Sequence, residues 1–170
     1  MFKKVAMLGA LGSVLVLQSP SGQLDQLSAN DKDFVEFAGE TDLLAVRLGH
    51  LAGIHGASVE VRDFGRMMAD DHARDLKSLT AVANKTGGVA PDTLDDMHST
   101  TLKQVSKLKG KAFDHQFLKT VVNQHENALV SFKREADHGF NQDLQAYAKK
   151  TLPKMEQHLK QAKELDSAGK

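Results

Sequence analysis

The chain of 170 residues sets 22 lysines and arginines against 22 aspartates and glutamates, with no cysteine and no tryptophan. A formally neutral chain lacks the basic face that a general nucleic-acid binder needs to displace counterions. Without a thiol there are no disulfides and no lipoprotein anchor, so stability must come from a single core, which this length is sufficient to bury.

Met1 to Ser21 has the three parts of a secretory signal. Lys3-Lys4 is followed by an apolar run from Val5 to Leu17 and then by Ser19-Pro20-Ser21. That run, about 13 residues, is short of the roughly 20 needed to span a bilayer. Cleavage near Ser21 is expected, leaving a slightly acidic mature form with no transmembrane segment. The destination is the periplasm or the exterior. Residues 22–30 are small and polar and read as a tether, and residues 31–167 read as one domain.

Beyond the tether, β-branched residues are thinly scattered and apolar residues recur at helical spacing, so the chain reads as all-α. The first helix is expected from Asp31 to Ile54, capped by Ser28 or Asn30, with Phe34, Ala38, Thr41, Leu44, Leu48 and Leu51 inward. Gly53 and Gly56 end it. Ser58 begins a second helix with Val61, Phe64, Met68, His72, Leu76, Leu79 and Ala83 inward, stopped by Gly87-Gly88. Thr93 to Leu108 forms a weaker amphipathic segment, read as a crossover helix.

Phe113 to His138 follows, with Phe117, Val121, His125, Leu129, Phe132 and Ala136 inward. The last helix, Asn141 to about Asp166, places Leu144, Ala148, Thr151, Met155, His158, Ala162 and Leu165 on one face. Pro153 inside it removes a backbone hydrogen bond and should kink it. Four long helices with a crossover between the second and third give the layout of a ferritin-like four-helix bundle. A faint internal echo accompanies it: Phe64 and Phe117 each precede a histidine by eight residues.

His72, His125 and His158 each interrupt the inner stripe of a different long helix. At about 1.5 Å per residue, His72 lies roughly 21 Å and His125 roughly 17 Å from the starts of their helices, which the crossover makes parallel. His158 falls within about 7 Å of the same level across the final turn. Three imidazoles at one height suit a metal site, although any one alone reads as a hydrogen-bonded core histidine. Asp71 and Asp75 beside His72, and Glu126 beside His125, are the carboxylates available to complete or orient it.

Asp114 lies about three turns from His125 and reads as a cap or dipole partner of its own helix. The remaining five histidines read as surface, helix-end or crossover residues. The Glu-x-x-His pairs of di-iron bundles are missing, since Ala69, Val122 and Met155 stand three residues before the histidines. Imidazole-rich ligation suits a single Zn or Cu ion, with Met67, Met68 and Met155 about a turn away. No glycine-rich phosphate loop or nucleophile elbow is present, so neither an organic cofactor nor hydrolytic catalysis is expected.

Leu48-Gly49-His50-Leu51-Ala52, Phe64 to His72, Phe113-Asp114 with His125, and Leu152-Pro153 with His158-Leu159 together resemble the exported bacterial DUF4142 family. The resemblance runs from about Phe34 to Leu165. It implies a ferritin-like fold, an envelope location and polar motif residues at Asp71, His72, Asp114, His125 and His158. Members often carry a glutamate where Ala45 stands here and a tyrosine where Phe117 stands. The outer-membrane label that members often bear fits poorly with a chain lacking barrel strands and an anchor cysteine, so any outer-membrane association should be peripheral.

The expected function is non-enzymatic: an exported bundle that binds one transition metal in metal handling or envelope stress tolerance. The alternative is a structural or interaction module, binding an envelope protein or a second copy of itself, with the histidines satisfied by hydrogen bonds. A metal-dependent oxidoreductase ranks below both for want of carboxylates.

Overall fold

A computed structural model describes residues 27–169. The leader and most of the expected tether lie outside the described residues. Five helices follow: α1 Ala29–His55, α2 Val59–Lys85, α3 Asp96–Ser106, α4 Gly110–His138 and α5 Gln142–Ala168. The all-α expectation holds, with a short third helix linking the two hairpins.

Local chemistry sets the boundaries. Ser28 and Asp31 form a reciprocal capping box, so α1 begins inside the stretch read as tether. Ser58 accepts the Val61 N–H and starts α2. Asp95 accepts the His98 N–H at 2.6 Å and starts α3 two or three residues later than the apolar spacing suggests. Gly110, at φ 63°, turns the chain into α4 three residues earlier than expected. Pro153 is accommodated within an unbroken α5.

Contacts fix the helix directions. Phe64 meets Phe117 at a centroid distance of 6.1 Å, and His72 meets His125 at 5.4 Å. Both pairs keep the same offset, so α2 and α4 run parallel and the internal echo is a spatial one. Asp75 of α2 reaches Lys154 of α5 while Lys85 reaches Asp143, so those helices are antiparallel. Each hairpin, α1–α2 and α4–α5, is antiparallel across its short turn, and α3 lies against α1 and α4.

The α1–α2 hairpin is unusually close because glycines face each other. A Cβ on Gly49 would stand 2.3 Å from the Gly65 carbonyl oxygen, and one on Gly65 would stand 2.4 Å from the Ala52 Cβ. Only a bare backbone tolerates that approach.

The core is divided in two along the bundle. One apolar cluster contains Phe34, Leu79, Phe132, Leu144 and Tyr147, and the other contains Leu44, Leu48, Phe64, Phe113 and Phe117. On every long helix the boundary between clusters is a buried polar residue: Asp42 on α1, His72 on α2, His125 on α4 and His158 on α5. A polar layer therefore crosses the middle of the bundle.

Candidate metal centre

Packing explains why the polar residues meet. The close α1–α2 approach brings Asp42 to His72, and the parallel course of α2 and α4 brings His125 level with it. The final hairpin returns His158 to the same height. Ring centroids are 5.4 Å apart for His72 and His125, 5.3 Å for His72 and His158, and 5.6 Å for His125 and His158. One ring nitrogen from each lies within 4.8 Å of the others. None of the three side chains is more than 2% exposed.

Each imidazole is held by one nitrogen. His72 Nδ1 donates to Asp42 Oδ1 at 2.7 Å, His125 Nδ1 to the Val121 carbonyl at 2.9 Å, and His158 Nε2 to Asp71 Oδ2 at 3.0 Å. A neutral imidazole carries one N–H, so these bonds fix the tautomers and leave the second nitrogen of each ring as a lone pair. Those nitrogens are His72 Nε2, His125 Nε2 and His158 Nδ1, all buried and all without a hydrogen-bond partner in the protein. Buried ring nitrogens left without a partner are costly, by about 1–3 kcal/mol each.

The electrostatics favour neutral donors. Burial, with the neighbouring imidazoles, pushes His125 down to about 3. Burial and His72 push His158 down to about 4, against the opposing pull of Asp71. Burial alone would raise Asp71, but hydrogen bonds from His158 and Arg74 and the charge of Lys154 outweigh it and hold its carboxyl below the usual range. Asp42 is raised by burial, only partly offset by its bond to His72. Tyr147 donates its hydroxyl to Asp42 Oδ2 at 3.2 Å and is itself raised by burial and by that carboxylate.

Carboxylate-imidazole pairs of this kind are how proteins orient histidine ligands and strengthen them as donors. The residues fit a single transition ion: three neutral nitrogens would hold it, while Asp42 and Asp71, one shell out, would balance its charge. No carboxylate joins the nitrogen cluster.

The other expected carboxylates take different partners. Asp75 is buried and accepts from Lys154 at 3.0 and 3.2 Å. Glu126 faces solvent and pairs with Lys163 at 2.6 Å. Asp71, on α2 with its neighbour His72, stands behind His158 of α5. Asp114 serves α2 rather than its own helix, accepting from the Ala57 and Ser58 N–H groups at 2.9 and 3.0 Å.

Asp42 is the residue that sequence reasoning missed. It lies four residues after Ala38 on the inner face, but Thr41 beside it fills the same stripe and an aspartate is not sought in a core. Its signal was a carboxylate at the one level where the other three helices also turn polar.

Four long helices around a buried layer of three imidazoles define an all-α bundle with a candidate metal centre. The chain belongs to the DUF4142 family, a domain of unknown function whose model matches residues 17–165. Among solved structures it is similar to a DUF305 fragment from Deinococcus radiodurans, with a TM-score of 0.74 at 12% identity. That match covers 84% of this chain and 99% of the other, and it shows the fold. Comparison with curated proteins finds no match. No helix among the described residues is long and apolar enough to cross a membrane.

Proposed function

We propose that this protein is exported to the periplasm and binds one transition ion, Zn or Cu, through His72, His125 and His158, in metal handling or envelope stress tolerance. The observation that carries the reading is the trio of buried, unpartnered ring nitrogens within reach of one another, each backed by a hydrogen bond on its far side. Such a set binds soft or borderline ions better than hard ones. Export rests on the sequence of residues 1–21.

A binding role, rather than catalysis, fits imidazoles that are each at most 2% exposed.

The test is metal content of the mature protein prepared from the periplasm without tag or chelator, beside His72→Ala, His125→Ala and His158→Ala. About one equivalent of Zn or Cu, lost in each folded variant, is the expected result. Protein that is empty and takes up neither Zn nor Cu on titration would overturn it and favour an interaction module.

A further inference from the structure

A second group of metal-ligating side chains lies on the other side of α1, where α3 crosses it. Glu40 on α1, Asp95 at the N-cap of α3 and His98 in its first turn each offer a ligand atom, and these atoms lie within 4.8 Å of one another. His98 Nδ1 is 2.8 Å from Asp95 Oδ1 and 3.7 Å from Glu40 Oε2. The His98 side chain is 10% exposed, that of Glu40 13% and that of Asp95 38%.

The cluster forms one wall of a cavity of about 610 Å³, whose far wall is lined by Gln116, Thr120 and Gln124 of α4. The lining includes further carboxylates from α1, among them Glu36, and neither lysine nor arginine. Gathered carboxylates usually meet a basic partner; among the described residues lining this cavity the basic group is His98, already bonded to Asp95.

We propose that Glu40, Asp95 and His98 form a second cation site, taking one divalent ion of harder character than the trihistidine centre, with the cavity side open to water. Two carboxylates and one imidazole suit Mn, Fe(II) or Zn in a mixed oxygen and nitrogen sphere. The ion supplies the positive charge that the groove lacks, and the carboxamides of α4 hydrogen-bond its waters. The partly exposed ligands make it an exchangeable site, in contrast to the closed centre between the two core clusters. This inference is independent of the trihistidine reading, since it uses none of its residues.

The test is Mn(II) titration of the mature chain, followed by the loss of the aquo-ion electron paramagnetic resonance signal, with amide broadening in NMR to locate the ion. Glu40→Gln is nearly isosteric, and Asp95→Asn keeps an N-cap side chain, so both variants preserve the fold while removing ligand charge. The expected result is one Mn(II) bound, broadening centred on His98, and affinity lowered at least about tenfold in each variant. A His72→Ala, His125→Ala double variant should bind Mn(II) at this site as the parent does. Retention of parental affinity in both Glu40→Gln and Asp95→Asn, broadening centred on His125, or no uptake at about millimolar Mn(II) would each overturn the proposal.

Discussion

Asp42 Oδ1 and His72 Nδ1 stand 2.7 Å apart, joining α1 to α2 with both side chains 1% exposed. The bond aims His72 Nε2 away from α1, toward the other two imidazoles, and supplies negative charge behind the ring. Asp42→Asn keeps an acceptor for the N–H but removes that charge. It should fold and bind metal about 10–100-fold more weakly, as losses of outer partners do. Asp42→Ala strands both the His72 N–H and the Tyr147 hydroxyl and should also cost about 1–3 kcal/mol or more of stability. Competition with a chelator of known affinity and urea melts of the metal-free forms separate the two effects.

The metal-free protein should lose stability on acidification. The unfolded chain takes up protons on His125 and His158 near 6.5, while the folded chain resists until about 3 and about 4. Their contribution is complete above the unfolded value and disappears as pH falls toward the folded ones. Glu135 acts oppositely, because burial and the nearby Asp31 raise it to about 7, so its contribution is lost as pH rises from 4.5 through that value. Between 4.5 and 6.5 two histidines outweigh one glutamate, at up to about 1.4 kcal/mol per pH unit for each linked group. Urea midpoints should peak near neutrality and fall toward about pH 5, and Glu135→Gln should steepen that acid limb while removing the decline on the alkaline side.

The fold was legible in the sequence because its signals are repeated along each helix: apolar stripes at intervals of three and four, Ser caps, glycine stops. The imidazole trio was legible for the same reason, since His72, His125 and His158 occupy positions that the stripes reserve for leucine. The partners of those rings were harder to see. Asp71 lies next to His72 in sequence yet bonds His158, because successive residues on a helix point about 100° apart and it faces α5. Asp75 and Glu126 are near their histidines in sequence but reach Lys154 and Lys163. Which carboxylate finds which imidazole depends on helix rotation, and periodicity does not set that angle closely enough. The Glu40, Asp95 and His98 cluster needs the placement of α3, whose weak stripe left its position open.

The glycine contact between α1 and α2 sets the distance that the Asp42–His72 bond requires. In Gly49→Ala the new methyl would meet the Gly65 carbonyl oxygen at 2.3 Å, and backbone cannot rotate away as a side chain can. The helices must separate, at a cost of about 1–3 kcal/mol or more. Separation also lengthens the bond to His72, so metal affinity should fall although the mutated residue lies about two turns from the site. An affinity equal to the parent in a destabilised Gly49→Ala variant would show that the hairpin spacing does not govern the centre.

The resemblance groups Asp114 with the three histidines, yet its position predicts a different phenotype. Its two oxygens hold the N–H groups of Ala57 and Ser58, where the chain enters α2. Arg62 secures the same turn by donating to the Gly56 and Ala57 carbonyls at 2.9 and 2.7 Å. The carboxylate thus ties α4 to the α1–α2 hairpin and sits at the positive end of the α2 dipole, far along the bundle from the imidazoles. Asp114→Ala should lower stability by about 1–2 kcal/mol, the cost of a lost N-terminal cap, with metal stoichiometry and affinity unchanged. Asp114→Asn should recover part of the loss, since one amide oxygen still accepts. His125→Ala should show the converse pattern, with metal binding abolished. If folded Asp114→Ala instead released the metal, the turn and the centre would have to be coupled through α2, and the separation of structural from ligating motif residues would fail.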